Sequence, residues 1–381
     1  MTRPILERLV SSYLSTGQKV YSFAWQGGEP TLPGVEFYRM AVELQQQHAR
    51  PGSRISNALQ TNGTLITDEL AALLAEYRFL VGVSIDGPED VHDTYRRYRS
   101  GEGSHADVVA AIDRLLERDV ATNAIVLVSQ ANVRRAAEVY RYLVGLGINH
   151  HQYIPCVELT GGRLDSFAIS AQEWGGFLVE LFETWAEADV QRISIRHHDA
   201  LVGFLVDGRR ELCTMSGSCE SYYVVERNGN VYPCDFFVEP GLLLGNVVND
   251  DWGSIVRNPK GRAFASKKSH WNAVCGECRH LPYCSGDCTR LRADAPGDVG
   301  SWLCEGWKVF YDAALPVFER IADGIVARAN PGARRWDPHE YEPEQTCYCG
   351  SGRKARNCHL ARANQPTTLS ATTSRSTSSA T

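Results

Sequence analysis

No cysteine precedes Cys156 in this 381-residue chain, although the whole holds 12. Long apolar runs are missing too, since none approaches the ~18–20 residues of a membrane-spanning helix. The start, residues 1–17, has no uninterrupted apolar core and reads as an amphipathic helix, not a signal peptide. Basic charge is not in excess either. The chain has 39 Lys and Arg against 45 Asp and Glu, a net charge of −6, so its bulk electrostatics favour neither nucleic acid nor an anionic membrane as partner. What is present, 43% apolar and 22% charged residues, is the balance of a globular protein with two or three domains. That excludes a wholly disordered or fibrous chain. Without an export signal, the expected location is the cytoplasm. Thiols there stay reduced, and clustered cysteines read as metal ligands or catalytic groups in preference to disulfides.

Residues up to about 165 alternate short apolar runs with helical patterns. Strands are expected at 20–25, 54–59, 79–85, 121–128 and 151–154, with helices at 35–48, 68–76, 105–118 and 132–146. Regular alternation predicts parallel β/α units, either an incomplete barrel or an open sheet. Three strands run into polar, Gly-containing segments: Gln26-Gly27-Gly28-Glu29-Pro30, Gln60-Thr61-Asn62-Gly63 and Ser84-Ile85-Asp86-Gly87-Pro88. The carboxyl ends of parallel strands share one rim, where ligands bind. Each segment alone reads equally as an ordinary turn; three on one rim point to a small-molecule site. Further helices are expected at 170–188 and 199–207. A hairpin with an Asn228-Gly229 turn follows, and a last helix runs from Trp302 to about Ala329.

Eight cysteines fall in the loop-rich stretch from Leu212 onward: Cys213, Cys219, Cys234, Cys275, Cys278, Cys284, Cys288 and Cys304. Eight thiolates make two sets of four, the number that holds an iron–sulfur cluster or a structural zinc. Only Cys275 and Cys278 form a paired zinc-type knuckle, and the wide separations favour clusters. Spacing leaves both readings open. Further on, Cys347, Cys349, Cys358 and His359 supply four ligands within one short segment, as a closed tetrahedral zinc site requires. Gly350 and Gly352 let the chain turn between the two pairs. Cys156 reads as a buried apolar thiol.

The cysteines from Cys213 to Cys304 resemble the SPASM domain of radical S-adenosylmethionine (SAM) enzymes, and more narrowly the anaerobic sulfatase-maturating enzymes. The three rim segments carry the same resemblance, together with His92, Asp93 and Arg96. So does Val231-Tyr232-Pro233-Cys234-Asp235-Phe236-Phe237. The resemblance spans roughly residues 5–316, and Cys347 to His359 resembles the SEC-C zinc motif. It implies a partial parallel (β/α) barrel lacking its first strand (1–208) and a SPASM domain (209–310). A C-terminal helix (311–330), a linker (331–345), the zinc motif (346–362) and a disordered tail (363–381) follow.

The resemblance implies oxidation of a sulfatase's active-site Cys or Ser, in a Cys/Ser-x-Pro-x-Arg motif, to Cα-formylglycine. An electron-donor protein is a second implied partner. Auxiliary [4Fe–4S] cluster I would use Cys213, Cys219, Cys234 and Cys288, and cluster II Cys275, Cys278, Cys284 and Cys304. Asp235 would be the general base, the other reading being a turn or capping residue. SAM would be bound by Gln26, Gly27, Gly28, Glu29, Asn62, Ser84 and Asp86. Glu29 also reads as a structural salt-bridge acid, and His92 and Arg96 as a surface pair.

The family's Cys-x3-Cys-x2-Cys, which holds the SAM-cleaving cluster, does not occur in these residues. The expectation is an N-terminally truncated chain that does not cleave SAM by itself. The alternatives are a peptide-modifying SPASM enzyme or a non-catalytic cluster-binding or electron-transfer protein.

Overall fold

A computed structural model of the chain describes residues 1–338, apart from Ser221, Asp294 and 296–299, and also Lys354. Cys347, Cys349, Cys358 and His359 lie outside the described residues, as do the tail expected at 363–381 and nearly all of the segment expected to bind zinc. The first half alternates as the apolar pattern predicts. In order come α1 (Arg3–Leu14), β1 (Val20–Trp25), α2 (Val35–His48), β2 (Arg54–Thr61), α3 (Asp68–Glu76) and β3 (Leu80–Ser84). Next are α4 (Glu89–Tyr95), α5 (His105–Leu116), β4 (Ala121–Val128), α6 (Ala136–Gly145) and β5 (His150–Pro155). A small hairpin, β6 (Leu159–Thr160) with β7 (Arg163–Leu164), precedes α7 (Ala171–Ala188), β8 (Ser194–Ile195) and α8 (Arg196–Asp207). Strands β1, β2, β3, β4, β5 and β8 form one sheet in that order, every neighbouring pair parallel. This is the parallel β/α architecture of the radical SAM fold. No helix among the described residues is long and apolar enough to cross a membrane.

Local chemistry explains several boundaries. Thr67 caps α3 by accepting from the Leu70 N–H at 3.2 Å, with Asp68 and Glu69 in the first turn, where the helix dipole favours them. Ser170 and Glu173 form a reciprocal capping box on α7. Several boundaries differ from expectation, and the sequence pattern does not predict the short α4 and β8. α6 begins at Ala136, not at 132, because the Asn132 side chain folds back, accepting from Ser129 N–H and donating to Asp86 O and Leu127 O. α8 begins three residues early, at Arg196. The sheet has a sixth strand, β8, whose two residues are too few to show a period in sequence.

The second half is built from short pieces: β9 (Val224–Val225), β10 (Asn230–Tyr232), β11 (Gly245–Asn246), α9 (Trp252–Val256), α10 (Pro259–Ser266), α11 (Ala273–Gly276), α12 (Leu281–Cys284) and α13 (Thr289–Ala293). β10 lies between β9 and β11, antiparallel to both. α14 (Cys304–Ala329) then packs back along α7. The expected linker is not free at its start. Trp336 sits edge-on to Phe204 at 4.7 Å, and Arg335 pairs with Glu319 and Asp323, each at 3.4 Å.

The main core lies between the sheet and its helices and continues through α7, α8 and α14. A second cluster joins α1, β1 and α2. A third places Leu9 of α1 against Val231, Leu244, Val247 and Ile255 of the cysteine-rich half. Trp252 Nε1 donates to Ser12 Oγ at 3.0 Å across the same seam.

Candidate active site

The three rim segments meet at the carboxyl ends of β1, β2 and β3, and Glu29 ties two of them together. Its Oε1 accepts from Thr31 N–H at 3.0 Å, Thr31 Oγ1 at 2.5 Å and Thr61 Oγ1 at 2.7 Å; Oε2 accepts from the Asn62 N–H at 2.8 Å. Among the described residues Glu29 pairs with hydroxyls and amides and with no cation, which corrects the salt-bridge reading. Gly27 and Gly28 have φ of +91° and +56°, and a Cβ at either would meet nothing within 4 Å. Bare backbone therefore borders open space, which suits close approach by an amino-acid moiety such as that of SAM. Asn62 Oδ1 accepts from Thr64 N–H and Oγ1, and Ser84 ends β3, half-buried.

Asp86 is 5% exposed. Its carboxylate accepts from Arg96 Nε at 2.6 Å and Nη2 at 3.2 Å, and from the Leu127 N–H at 2.9 Å. His92 is fully buried. Its Nδ1 accepts from the Asp86 N–H at 3.3 Å, and Nε2 lies 3.1 Å from Ser104 Oγ. His92 and Arg96 are therefore not a surface pair. Both sit under the third rim segment and hold it. Burial lowers the His92 pKa to about 4, so the ring stays neutral. Asp93 accepts from the Ser104 and His105 N–H groups.

Asp235 reaches this rim from the other half of the chain. Its Oδ2 accepts from Gln26 Nε2 at 3.4 Å, and Oδ1 accepts from Tyr222 Oη at 2.7 Å. Cys234 Sγ lies 3.4 Å from Oδ1 and 3.7 Å from Tyr222 Oη. Burial, and then Asp235, push the Tyr222 phenol far above its ordinary pKa, so it stays a donor to the carboxylate. Tyr222 precedes the hairpin strand β9 and meets Asp235 from 13 residues away; no motif marks it in the sequence.

The thiols gather in two places. Cys275, Cys278, Cys284 and Cys304 line one cavity with His280, Asp287 and Lys308. Cys213 feels both Cys219 and Cys288 electrostatically, and Cys234 sits at the rim. Burial raises the pKa of the Cys213, Cys275, Cys288 and Cys304 thiols, and to about 12 that of Cys234 and Cys284. Such thiols become thiolates only when a cationic group coordinates them. Four soft donors converging on one cavity fit an iron–sulfur cluster. Cys156 is 6% exposed and raised to about 11 by burial, the inert thiol expected from sequence.

A parallel β/α sheet with a glycine-lined rim, joined to a domain of gathered thiols, defines a radical SAM enzyme with a SPASM domain. The radical SAM superfamily profile matches residues 6–143, and an iron–sulfur cluster-binding domain, SPASM, matches residues 213–279. The cysteine-type anaerobic sulfatase-maturating enzyme of Clostridium perfringens is 32% identical over 333 residues, covering 85% of this chain and 90% of the relative. The serine-type enzyme of Bacteroides thetaiotaomicron is 32% identical over 352 residues, covering 87% and 85%. A solved structure described as native anSMEcpe with bound AdoMet and Cp18Cys peptide superposes with a TM-score of 0.80 at 33% identity, covering 85% of this chain and 92% of that one. The chain belongs to the anaerobic sulfatase-maturating enzymes, a family of SAM and iron–sulfur chemistry.

Proposed function

We propose that this site oxidises the active-site Cys or Ser of a sulfatase, within Cys/Ser-x-Pro-x-Arg, to Cα-formylglycine. The observation that carries this reading is the contact of Asp235 with Gln26. It brings a carboxylate flanked by Cys234 to the glycine rim, where SAM would lie. When bound, SAM and the clusters would supply hydrogen-atom abstraction at the substrate Cβ and a one-electron acceptor. Gly27 and Gly28 offer backbone to the methionyl group, with Gln26, Asn62 and Ser84 beside them. Glu29 and Asp86 hold the rim segments in place. Asp235 takes the proton from the substrate thiol or hydroxyl as the carbon radical is oxidised, within reach of Cys234. A hydroxyl gives the aldehyde directly, whereas a thiol gives a thioaldehyde that water hydrolyses to the aldehyde with release of hydrogen sulfide.

Auxiliary cluster I would be held by Cys213, Cys219, Cys234 and Cys288, and cluster II by Cys275, Cys278, Cys284 and Cys304. Zinc is proposed for Cys347, Cys349, Cys358 and His359. The cysteines of the SAM-cleaving cluster are not among these residues. β1 lies at the edge of the sheet and pairs with β2 alone among the described strands. The chain alone is expected to release no 5′-deoxyadenosine from SAM under anaerobic reduction.

The test adds a Cys-x3-Cys-x2-Cys segment ahead of β1 and supplies a Cys-x-Pro-x-Arg peptide. Formylglycine by mass supports the reading. Release of 5′-deoxyadenosine with a crosslinked, epimerised or unchanged peptide overturns it.

A further inference from the structure

The loop between Cys284 and Cys288 carries chemistry that the proposed reaction leaves unused. These two cysteines fall to different clusters, and Ser285, Gly286 and Asp287 between them run at φ +46°, +71° and +62°. Successive left-handed residues are unfavourable for Ser and Asp, which carry a Cβ. Two cations, the buried Lys268 and the half-buried Arg292, hold the turn. Lys268 Nζ donates to the Asp287 carbonyl and, at 3.0 Å, to Thr214 O. Arg292 Nη2 donates to the carbonyls of Ser285 at 3.1 Å, Asp287 at 3.2 Å and Lys268 at 2.8 Å. Lys268 is 0% and Asp287 4% exposed.

Neutral donors would satisfy these carbonyls, and burying an ammonium beside a guanidinium is costly without anions. Asp287 offers one carboxylate. Its oxygens accept from neutral groups: Ser301 Oγ at 2.9 Å, Trp307 Nε1 at 3.1 Å and the Cys288 N–H at 2.7 Å. Among the described residues, the other nearby groups that can turn anionic are cysteine thiols, which become thiolates when a cluster is held. Lys268 lies within electrostatic reach of Cys219 and Cys288, and Arg292 of Cys275, Cys284 and Cys219. Among the described residues, Arg292 Nε is buried without an acceptor.

We propose that Lys268 and Arg292 form a charge clamp that raises the reduction potentials of the auxiliary clusters, Lys268 acting on the Cys213 set and Arg292 on both. The inference rests on the proposed division of the eight cysteines. Reduction adds one electron to a cluster and makes it more negative by one charge. A fixed buried cation favours that state, and no proton need move. Lys268 and Arg292 are positioning and tuning residues, since neither is assigned as a ligand.

The full chain, reconstituted anaerobically with iron and sulfide, is titrated potentiometrically and followed by electron paramagnetic resonance. Lys268→Gln keeps a donor for the carbonyls and drops the charge. It is expected to move one couple negative by a tenfold change in its oxidised-to-reduced ratio, 59 mV for a one-electron couple, and Lys268→Arg to restore it. Arg292→Gln is expected to move both couples. Unshifted couples in Lys268→Gln with full iron overturn the proposal and leave the cysteine division standing. Where Lys268→Gln fails to load a cluster, recovery of loading and potential in Lys268→Arg upholds the proposal, and loss in both variants overturns it. The division has its own readout. Cys219→Ala and Cys278→Ala must each remove a different signal, and removal of the same signal sinks the division whatever the potentials show.

Discussion

Asp235 is held from three sides, by Gln26, Tyr222 and the Cys234 thiol, and it concentrates the proposed chemistry in one carboxylate. Asp235→Asn keeps the shape and removes the base. In a chain completed with the SAM-cleaving motif it is expected to lower formylglycine yield about 10²-fold or more while 5′-deoxyadenosine release persists, and product quantification by mass checks this. His92 makes a different prediction. Its folded pKa of about 4 lies below the ordinary 6.5, so the unfolded chain binds the proton first as pH falls. The stability from keeping His92 neutral is full above pH 6.5 and is lost progressively as pH drops towards 4. A shift of this size corresponds to about 3 kcal/mol. Urea unfolding between pH 7 and pH 4 is expected to show that loss, with a shallower slope in His92→Gln. His151, also buried and lowered to about 4, keeps part of the slope in that variant.

At the scale of elements, α7 and α14 cross where Gly175 meets Gly306. A Cβ on Gly306 would run into the Ala171 carbonyl oxygen and come within 2.9 Å of the Gly175 N. Backbone lies on both sides, so neither helix can yield by a rotamer change. Gly306→Ala is expected to cost about 3 kcal/mol, read as a lower urea midpoint with unchanged m. The short elements of the second half obey a different logic. α11 and α12 have four residues each, too few to be stable as helices on their own, and they place Cys275 and Cys284 at the cavity. Metal analysis of the reconstituted chain is expected to give about eight irons in two four-iron clusters and one zinc. Cys219→Ala or Cys278→Ala is expected to lose about four irons.

At the scale of the molecule, α1 is the seam. One face packs on β1 and α2, and Leu9 packs on Val231, Leu244, Val247 and Ile255. Leu9→Ala is expected to cost about 2–5 kcal/mol. It should also loosen the approach of Asp235 to the rim, so hydrogen exchange should rise in β9 and β10 along with residues near Gln26. Exchange confined to α1 would argue that the two halves are positioned independently.

The sequence by itself determined the parallel β/α alternation, because each strand and helix up to β5 except the short α4 carries its own apolar period. It also marked the glycine rim, the two groups of cysteines and Asp235 beside Cys234, since these are local motifs with local chemistry. β8 and the packing of Trp336 escaped it, because both depend on surfaces supplied by distant elements. Glu29, which sequence reads as a SAM-binding residue or an ion-pair acid, forms a hydrogen-bonded tie between the rim segments after β1 and β2, while the pair His92 and Arg96 turns inward. A carboxylate or an imidazole reads alike in sequence whether its partner is water, a hydroxyl or a cation. Only the tertiary structure decided that Gln26 meets Asp235 across more than half the chain, and that Lys268 and Arg292 close on the turn between Cys284 and Cys288. Both contacts join residues with no shared period or motif, and burial and proximity, which set their chemistry, exist only once the chain has folded.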